Sequence, residues 1–319
     1  AFAMRYITMF LLIAMVTWAA FAGSNIPPAG MIESKNNYSD NVPRIPGGDV
    51  DWAVVDSFMI DNTTIPGATD LGYGPDCFYI TNYLSSSASC IYQVSMTGQT
   101  QRFIPSPSMW PCAICYDGSN IWVSDYISGH SQYQVWMSLC KMDTSGTVLD
   151  TLLQRYTYFS GGMDWDGQYL WYGVKLSNSP PADCYIYKMD PNTGNHLDTL
   201  YVGTGDIYGL ARVQDYIYYS DNWQDKIYKI DLQGNLVDSS ETPAIEPAGL
   251  AFDGRYLYNL DHESGHHWIY KFDIELTPIS CTFTPVNPPI QVPANGGTVS
   301  GSLRIDFNAG ATNAHVQTL

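Results

Sequence analysis

The stretch IYYSDNWQDKIYKIDLQG, residues 217–234, contains the pattern that decides the fold. Its Ile-Tyr-Lys-Ile-Asp segment at 227–231 returns in related form at four other places along the chain. The related segments are IYQVS (91–95), LCKMD (139–143), IYKMD (186–190) and IYKFD (269–273). The starts of successive copies are 48, 47, 41 and 42 residues apart. A period of that length is typical of a β-propeller, in which each repeat forms one four-stranded blade.

A turn followed by a strand precedes each of these segments. The copies are ATDLGYGPDCFYITN (68–82), AICYDGSNIWVSD (113–125), GMDWDGQYLWYG (162–173), GLARVQDYIYYSD (209–221) and GLAFDGRYLYNLD (249–261). Asp-Gly pairs such as Asp117-Gly118 supply the positive φ that a tight hairpin needs. The strand after each turn is apolar on both sides, which predicts that both of its faces are buried between neighbouring blades.

The two ends of the repeat region complement each other. A fourth strand follows the middle repeats as TVLDTL (147–152), NHLDTL (195–200) and NLVDSS (235–240). The last repeat lacks such a segment, whereas a matching AVVDSF (53–58) precedes the first complete repeat. We therefore predict that Ala53–Phe58 completes the final sheet and closes the ring, which removes a large unpaired edge. The predicted fold is all-β, a five-bladed β-propeller over residues 50–279 closed by an N-terminal outer strand.

Composition and charge narrow the classes of partner. The 319 residues include 31 acidic and 14 basic side chains, for a net charge of −17. Phosphate backbones and anionic membrane surfaces repel such a protein, so we expect no nucleic-acid partner. Aromatic residues make up 14% and charged residues 14% of the chain, which is typical of a turn-rich all-β domain.

The N-terminus predicts export. Met4-Arg5 is followed by an apolar run from Ile7 to Val16, and Ala20-Phe21-Ala22 has the pattern of a cleavage site. Residues 1–22 are therefore predicted to be a signal peptide, with cleavage near Ala22. The run is too short to span a bilayer. We expect a secreted or cell-surface protein whose mature chain has no membrane span and begins with a flexible leader over 23–49.

The C-terminal segment has a different character. Residues 282–310 combine a Pro-rich entry, a Gly-Gly turn and one alternating strand, Val299 to Phe307. This segment resembles the opening strands of immunoglobulin-like β-sandwich modules in secreted bacterial proteins. Such a sandwich needs about seven strands. We therefore expect 280–319 to be the start of a truncated β-sandwich-like module that is covalently continued by further domains.

The cysteines leave their pairing open. They are Cys77, Cys90, Cys112, Cys115, Cys140, Cys184 and Cys281. Export permits disulfides, and a Cys77–Cys90 bridge between neighbouring strands depends on the strand register. The pair Cys112 and Cys115 is open to two interpretations, a redox or metal pair or two side chains on opposite faces of one strand. The second interpretation is favoured, because the sequence has no second C-x-x-C.

The segment 217–234 resembles the YWTD repeat of lipoprotein-receptor propellers and the related NHL repeat. In the YWTD family the Asp of the motif is a structural hydrogen-bonding residue within the blade. The resemblance implies that role for Asp221 and, through the internal repeat, for Asp125 and Asp261. The alternative is a ring of oxygen ligands for a hard cation, but Val174 interrupts that ring. YWTD propellers have six blades and five are expected here, so no function is carried over.

One histidine-rich segment is the candidate metal site. Its members are Asp261, His262, Glu263, His266 and His267. Neighbouring His and acidic groups suit a transition metal or an acid–base pair. The alternative is a solvated hairpin loop, because residues four apart align as ligands only on a helix. No cofactor is expected other than such a divalent cation.

A second candidate set lies at the predicted axis. Propellers of the sugar lactonases and strictosidine-synthase-like proteins resemble this chain in blade texture and gather Glu, Asn and Asp at the axis to hold a metal. That resemblance implies Asp70, Asp164 and Glu246 as an axial acidic set. The sequence contains no G-x-S-x-G, H-E-x-x-H or P-loop motif. We name no catalytic residue, and an enzyme is the less favoured interpretation.

The favoured function is a recognition module that binds an extracellular protein or a glycan through loops on one face of the propeller. The longest loops are expected at Tyr126–Ser138 and Lys175–Ala182. Tyr126, Tyr133 and Trp136 are the candidate anchors, because aromatic side chains dominate binding hot spots. Two alternatives remain, a metal-dependent hydrolase or lactonase-like enzyme with an axial acidic site, and a structural spacer of a surface protein.

Overall fold

The computed structural model describes residues 52–60, 65, 67–82, 90–107, 111–131, 134–155, 159–177, 181–262, 267–274, 276, 281–285 and 303–307. Within them the chain forms five four-stranded antiparallel sheets and one two-stranded sheet. The described residues include no helix long and apolar enough to cross a membrane. The predicted signal peptide and leader lie outside these ranges.

Each four-stranded sheet is one blade. The first blade contains β2 (Ala68–Gly74), β3 (Cys77–Asn82), β4 (Cys90–Ser95) and β5 (Thr100–Pro105). The second contains β6 (Pro111–Tyr116), β7 (Ile121–Ser131), β8 (Gln134–Met142) and β9 (Val148–Arg155). The third contains β10 (Phe159–Trp165), β11 (Leu170–Lys175), β12 (Ala182–Met189) and β13 (His196–Gly205).

The last two blades follow the same plan. The fourth contains β14 (Ile207–Val213), β15 (Tyr216–Asp221), β16 (Lys226–Asp231) and β17 (Leu236–Glu241). The fifth contains β18 (Pro247–Phe252), β19 (Leu257–Asp261), β20 (His267–Asp273) and β1 (Ala53–Ile60). The first strands of successive blades pack against each other in a closed ring. The predicted five-bladed β-propeller is confirmed.

The predicted closure is confirmed by the register of the fifth blade. Val54 lies opposite Phe272, and Ala53 lies opposite Asp273. Trp52, just before this strand, is buried and donates its Nε1–H to Asp238 of the fourth blade at 3.2 Å. The N-terminal segment thus joins the fifth blade by strand pairing and the fourth blade by a side chain.

Side-chain hydroxyls hold neighbouring blades together. Thr81 Oγ1 accepts the Asp70 amide at 3.1 Å and lies 3.1 Å from the Cys112 carbonyl of the next blade, to which it donates. Ser220 repeats this arrangement between the fourth and fifth blades, where it bridges the Gly209 amide and the Ala248 carbonyl. Both sites lie beside irregularities in the inner strand, so the hydroxyls satisfy backbone groups that strand pairing leaves over.

In the second, third and fifth blades, the Asp of the Asp-Gly turn and the lysine of the third strand contact the same aromatic side chain of the second strand. Asp166 accepts the Trp171 Nε1–H at 2.7 Å, and Lys188 Nζ lies 5.2 Å from the centre of that indole ring. The same Asp–aromatic–Lys arrangement recurs in the second and fifth blades. The repeat therefore conserves a cation–π contact and a charged hydrogen bond rather than the lysine alone.

Strand pairing corrects one expectation and answers one question that the sequence left open. Residues 126–138 were expected to form a loop, but they extend strands β7 and β8 into a long hairpin that pairs Ser131 with Gln134. Among the described residues, the pairing extends as far as Ser131 and Gln134, with a register irregularity between Ile127 and Ser131. Cys77 and Cys90 are not bridged, because Cys77 lies opposite Ser95 and Cys90 opposite Asn82.

The chain divides into two compact units between Ile274 and Glu275. In the second unit, β21 (Cys281–Pro285) pairs antiparallel with β22 (Leu303–Phe307). The expected β-sandwich start stays a prediction, since most of its residues lie outside the described ranges.

Candidate functional site

The second strand of every blade finishes at the same end of the disc, which we call the upper face. It is defined by the corresponding second-strand residues Asn82, Asp125, Val174, Asp221 and Asp261, of which Asp125 and Val174 lie before the ends of β7 and β11. The inner strands begin at this face, and the Asp-Gly turns lie at the other end.

Carboxylate and amide side chains at the upper face cap the starts of inner strands. Asp221 Oδ1 accepts the Asp206 amide at 3.0 Å, and Asn82 Oδ1 accepts the Gly67 amide at 2.9 Å. Asp221 also accepts the amides of the following turn, at Trp223 and Gln224. Burial raises the pKa of Asp221 despite these bonds. This residue is structural, as the repeat resemblance implied.

The third blade departs from this pattern and carries a buried ion pair. Val174 replaces the capping carboxylate, and the next residue, Lys175, is only 1% exposed. Its Nζ lies 2.5 Å from Asp206 Oδ1 of the fourth blade and 5.3 Å from the ring centre of Tyr208. Burial raises the pKa of Tyr208 well above its ordinary value. Burying two charges costs desolvation free energy. Among the described residues, the other blades do not carry this ion pair at the corresponding position, so the repeat pattern does not explain it.

The histidine-rich segment is partly described and is largely buried. His262 and His267 stack with ring centres 5.7 Å apart, and both are under 7% exposed. His262 Nδ1 contacts the Ala68 carbonyl, and its amide donates to the Glu246 carbonyl at 2.9 Å. Asp261 Oδ1 accepts the Glu246 amide at 3.2 Å. Through His262, the segment therefore links the fifth blade to Ala68 of the first blade.

The metal prediction for this segment stays a prediction. Glu263 and His266 lie outside the described residues. Among the residues that the structure describes, no group of three or more His, Cys, Asp or Glu side chains is placed to hold a metal ion.

Two of the three predicted axial acids lie close enough to interact. Asp70 Oδ2 accepts the Ile114 amide at 2.9 Å, and Asp164 Oδ2 accepts the Arg212 amide at 2.7 Å. Each carboxyl thus accepts an amide from within the inner strand of the following blade. Burial, with Asp164 as a nearby like charge, raises the pKa of Asp70 well above its ordinary value. Burial raises the pKa of Asp164 to about 6.

The third predicted axial acid is placed elsewhere. Glu246 precedes β18 at the upper face, where its charge acts on Tyr208. The structure therefore brings Asp70 and Asp164 together and leaves Glu246 with the histidine-rich segment.

The upper face also carries the longest hairpin among the described strands of the propeller. Strands β7 and β8 have 11 and 9 residues, against 6 in β3 and β4. Tyr126 is paired with Met137, and Trp136 is paired with Ile127 and Arg155. Tyr133 lies outside the described residues.

Sequence reasoning missed the Lys175–Asp206 pair and Tyr208. A signal was present, because Val174 interrupts the capping pattern and an adjacent lysine follows it. Its partner lies in the next blade, 31 residues away, and no local spacing predicts such a contact.

Comparisons with known proteins show the fold. No protein-family model matches the chain, and no curated protein matches it significantly. Glutaminyl cyclase of Myxococcus xanthus is 11% identical with a TM-score of 0.51, over 70% of this chain and 96% of that chain. BamB from Moraxella catarrhalis is 10% identical with a TM-score of 0.37, over 70% and 98% of the two chains. A chain of a nidogen/laminin complex is 16% identical with a TM-score of 0.40, over 61% and 72%. Identities this low establish a likeness in fold alone.

Proposed function

We propose that this chain is a secreted or cell-surface recognition module that binds an extracellular protein or a glycan at its upper face. The observation that carries the proposal is the β7–β8 hairpin, which extends the second blade beyond the strand ends of its neighbours at that face. The backbone of a paired hairpin has less conformational freedom than that of a loop, so binding costs less ordering entropy.

The two ends of the disc support the choice of face. At the lower end, three blades repeat one Asp–aromatic–Lys arrangement, which serves the fold. At the upper face, the junctions differ from blade to blade, with an ion pair at one and stacked histidines at another. Proteins that share a fold differ in function through local sites of this kind, which depart from the common framework.

A binding screen tests the proposal. The purified chain is presented to a glycan array and to a set of immobilised extracellular-matrix proteins, together with the variant Trp136→Ala. We expect a hit that weakens at least tenfold in the variant, because aromatic anchors supply about 2 kcal/mol or more. Phe103→Ala is the matched control, since Phe103 is 57% exposed on the outer strand of the first blade.

The same preparation separates the alternatives. Elemental analysis that finds a stoichiometric divalent cation, lost in Asp164→Asn or His262→Ala, would replace the proposal with the metal-dependent enzyme. Absence of any hit, with a high unfolding midpoint, would favour the structural spacer.

A further inference from the structure

A cleft of about 140 Å³ opens between the third and fourth blades. Its walls come from β12 and β13 on one side and from β15 and β16 on the other. The lining residues that matter here are Cys184, Gly203, Tyr219, Asp221, Gln224 and Tyr228. The volume is close to the roughly 150 Å³ of an engineered cavity that accepts benzene, so the cleft has room for one six-membered ring.

The cleft coincides with an extra irregularity in the third blade. All five blades shift register between the third and fourth strands near the lysine of the repeat, or near Gln93 at that position in the first blade. Within the described ladders, the third blade alone has a second shift, at Cys184/Tyr185 opposite Val202. There Gly203 adopts φ +103°, and an added Cβ would meet nothing within 4 Å. Bulges of this kind open and re-aim a strand beside binding sites.

Neutral hydrogen-bonding groups and aromatic rings of the fourth blade line one wall of the cleft. Tyr228 donates its hydroxyl proton to Gln224 Oε1 at 2.9 Å, and Gln224 Nε2 donates to Asp221 Oδ2 at 3.0 Å. Tyr219 stacks on Tyr228 with ring centres 5.1 Å apart. Trp223, beside Gln224 in the same turn, is 49% exposed.

The charges of the lining select the class of ligand. Its described members include no Lys, Arg or His, and the whole chain carries a net charge of −17, so an anion is disfavoured. Asp221 already accepts four N–H bonds, from Asp206, Trp223 and Gln224. Its charge is therefore compensated and does not call for a cation. Cys184 is a neutral thiol, because burial raises its pKa to about 11.

We infer that this cleft is a subsite for one neutral sugar ring of a glycan. A pyranose has an apolar face for the tyrosine rings of the lining and hydroxyls that donate and accept at once. The Tyr228–Gln224 pair offers the matching donors and acceptors. The inference deepens the proposed function and rests on its glycan branch.

Titration with methyl glycosides of glucose, galactose, mannose and N-acetylglucosamine tests the subsite by amide NMR. We expect at least one to shift the amide resonances of Gly203 and Gly205, with a Kd on the order of 1 mM. Leu236→Trp should weaken that binding at least tenfold by filling the cleft, because Leu236 lines it and is 62% exposed. Tyr228→Phe should weaken it several-fold, since it removes the hydroxyl and keeps the ring stack.

Leu197→Trp is the matched control. Leu197 is 52% exposed on the outer strand of the third blade and does not line the cleft. No shift with any glycoside at 50-fold the expected Kd, or equal binding by Leu236→Trp and the control, overturns the subsite. If the array still shows ligands that depend on Trp136 in that case, the recognition function stands and the sugar subsite alone is rejected.

Discussion

At the scale of single residues, Lys175 and Asp206 form the most deeply buried ion pair among the described residues. Both side chains are at most 5% exposed, and their charged atoms lie 2.5 Å apart. Asp206→Asn leaves the ammonium buried without that negative charge, so we expect it to lower the free energy of unfolding by about 3–5 kcal/mol. Urea unfolding followed by tryptophan fluorescence measures the loss.

An exposed ion pair provides the comparison. Arg255 and Asp273 lie 2.8 Å apart with side chains 52% and 38% exposed, so Asp273→Asn should cost under about 1 kcal/mol. The double variant Lys175→Met/Asp206→Leu should recover most of the stability that Asp206→Asn loses. Equal losses for the two single Asp variants would show that burial does not strengthen the Lys175 pair.

The axial carboxyls predict that stability falls as the pH rises from acid to neutral. The folded state raises the pKa of Asp164 to about 6 and the pKa of Asp70 in the same direction. The protonated carboxyls therefore favour folding. Their contribution to the free energy of unfolding is fully present below the unfolded pKa near 3.9, and it is lost as the pH rises through about 6. Each unit of pKa shift is worth about 1.4 kcal/mol.

Urea unfolding between pH 4.5 and pH 7.5 checks this dependence. Carboxylates whose pKa is lowered, such as Asp143 at about 2, titrate below that window. Burial lowers the pKa of His196, so that residue contributes a gain in stability over the same window. The comparison of slopes isolates the carboxyl: Asp164→Asn should lose less stability, or gain more, than the wild-type chain as the pH rises. A variant with the same pH slope as the wild type would exclude Asp164 as the source.

At the scale of elements, the N-terminal strand is anchored by more than its hydrogen bonds. Trp52 is 4% exposed, packs edge-on against Tyr218 at 5.2 Å and donates to Asp238. Trp52→Ala should lower the free energy of unfolding by about 3–5 kcal/mol, through lost burial and a residual cavity. Val55, three residues further along on β1, is 49% exposed, so Val55→Ala should change the free energy of unfolding by no more than about 0.5 kcal/mol. Thermal unfolding of both variants would contradict the anchor if their midpoints agreed.

Elements that repeat were predictable from sequence, and elements that break the repeat were not. The segment 227–231 matches β16, and AVVDSF matches the first six residues of β1. The repeat fixes these positions, because each copy must present the same apolar faces to its neighbours. The β7–β8 hairpin was taken for a loop, since one long insertion has no second copy to reveal its pairing.

The site was less predictable for a related reason. Asp70 and Asp164 were selected because a resemblance to lactonase-like propellers implies acids on the inner strands near the axis, and the structure places the two close enough for their charges to interact. Lys175 was passed over, and so was the second bulge at Cys184. Both depend on contacts between blades or strands that no spacing in the sequence encodes.

At the scale of the whole molecule, the ring of inner strands tolerates almost no added volume. A Cβ on Gly249 of the fifth blade would lie 2.6 Å from Asp70 Oδ1 and 2.7 Å from the Asp70 Cα of the first blade. We expect Gly249→Ala to cost about 1–3 kcal/mol by forcing these blades apart. Chemical unfolding of the variant measures this cost.

Gly118→Ala separates crowding from backbone strain. Gly118 has φ +94° and open space around its Cα, so its substitution tests conformation alone. Asp70→Ala removes the carboxyl contact but leaves the contacts of the added Cβ with the Leu71 amide nitrogen and the Asp70 Cα. A double variant with Asp70→Ala should therefore reduce only part of the cost of Gly249→Ala. Full additivity of the two substitutions would show that the Asp70 carboxyl does not limit the space.

The closing strand has a consequence for biogenesis. Ala53 pairs with Asp273, 220 residues later in the chain. The ribosome therefore releases this strand first, while its partner is the last β-strand of the propeller to be made. Until β20 is made, this strand lacks its native partner, and its Val55 and Met59 side chains remain exposed even after assembly. The interval before the ring shuts is the period in which this protein is most vulnerable to pairing with the wrong chain.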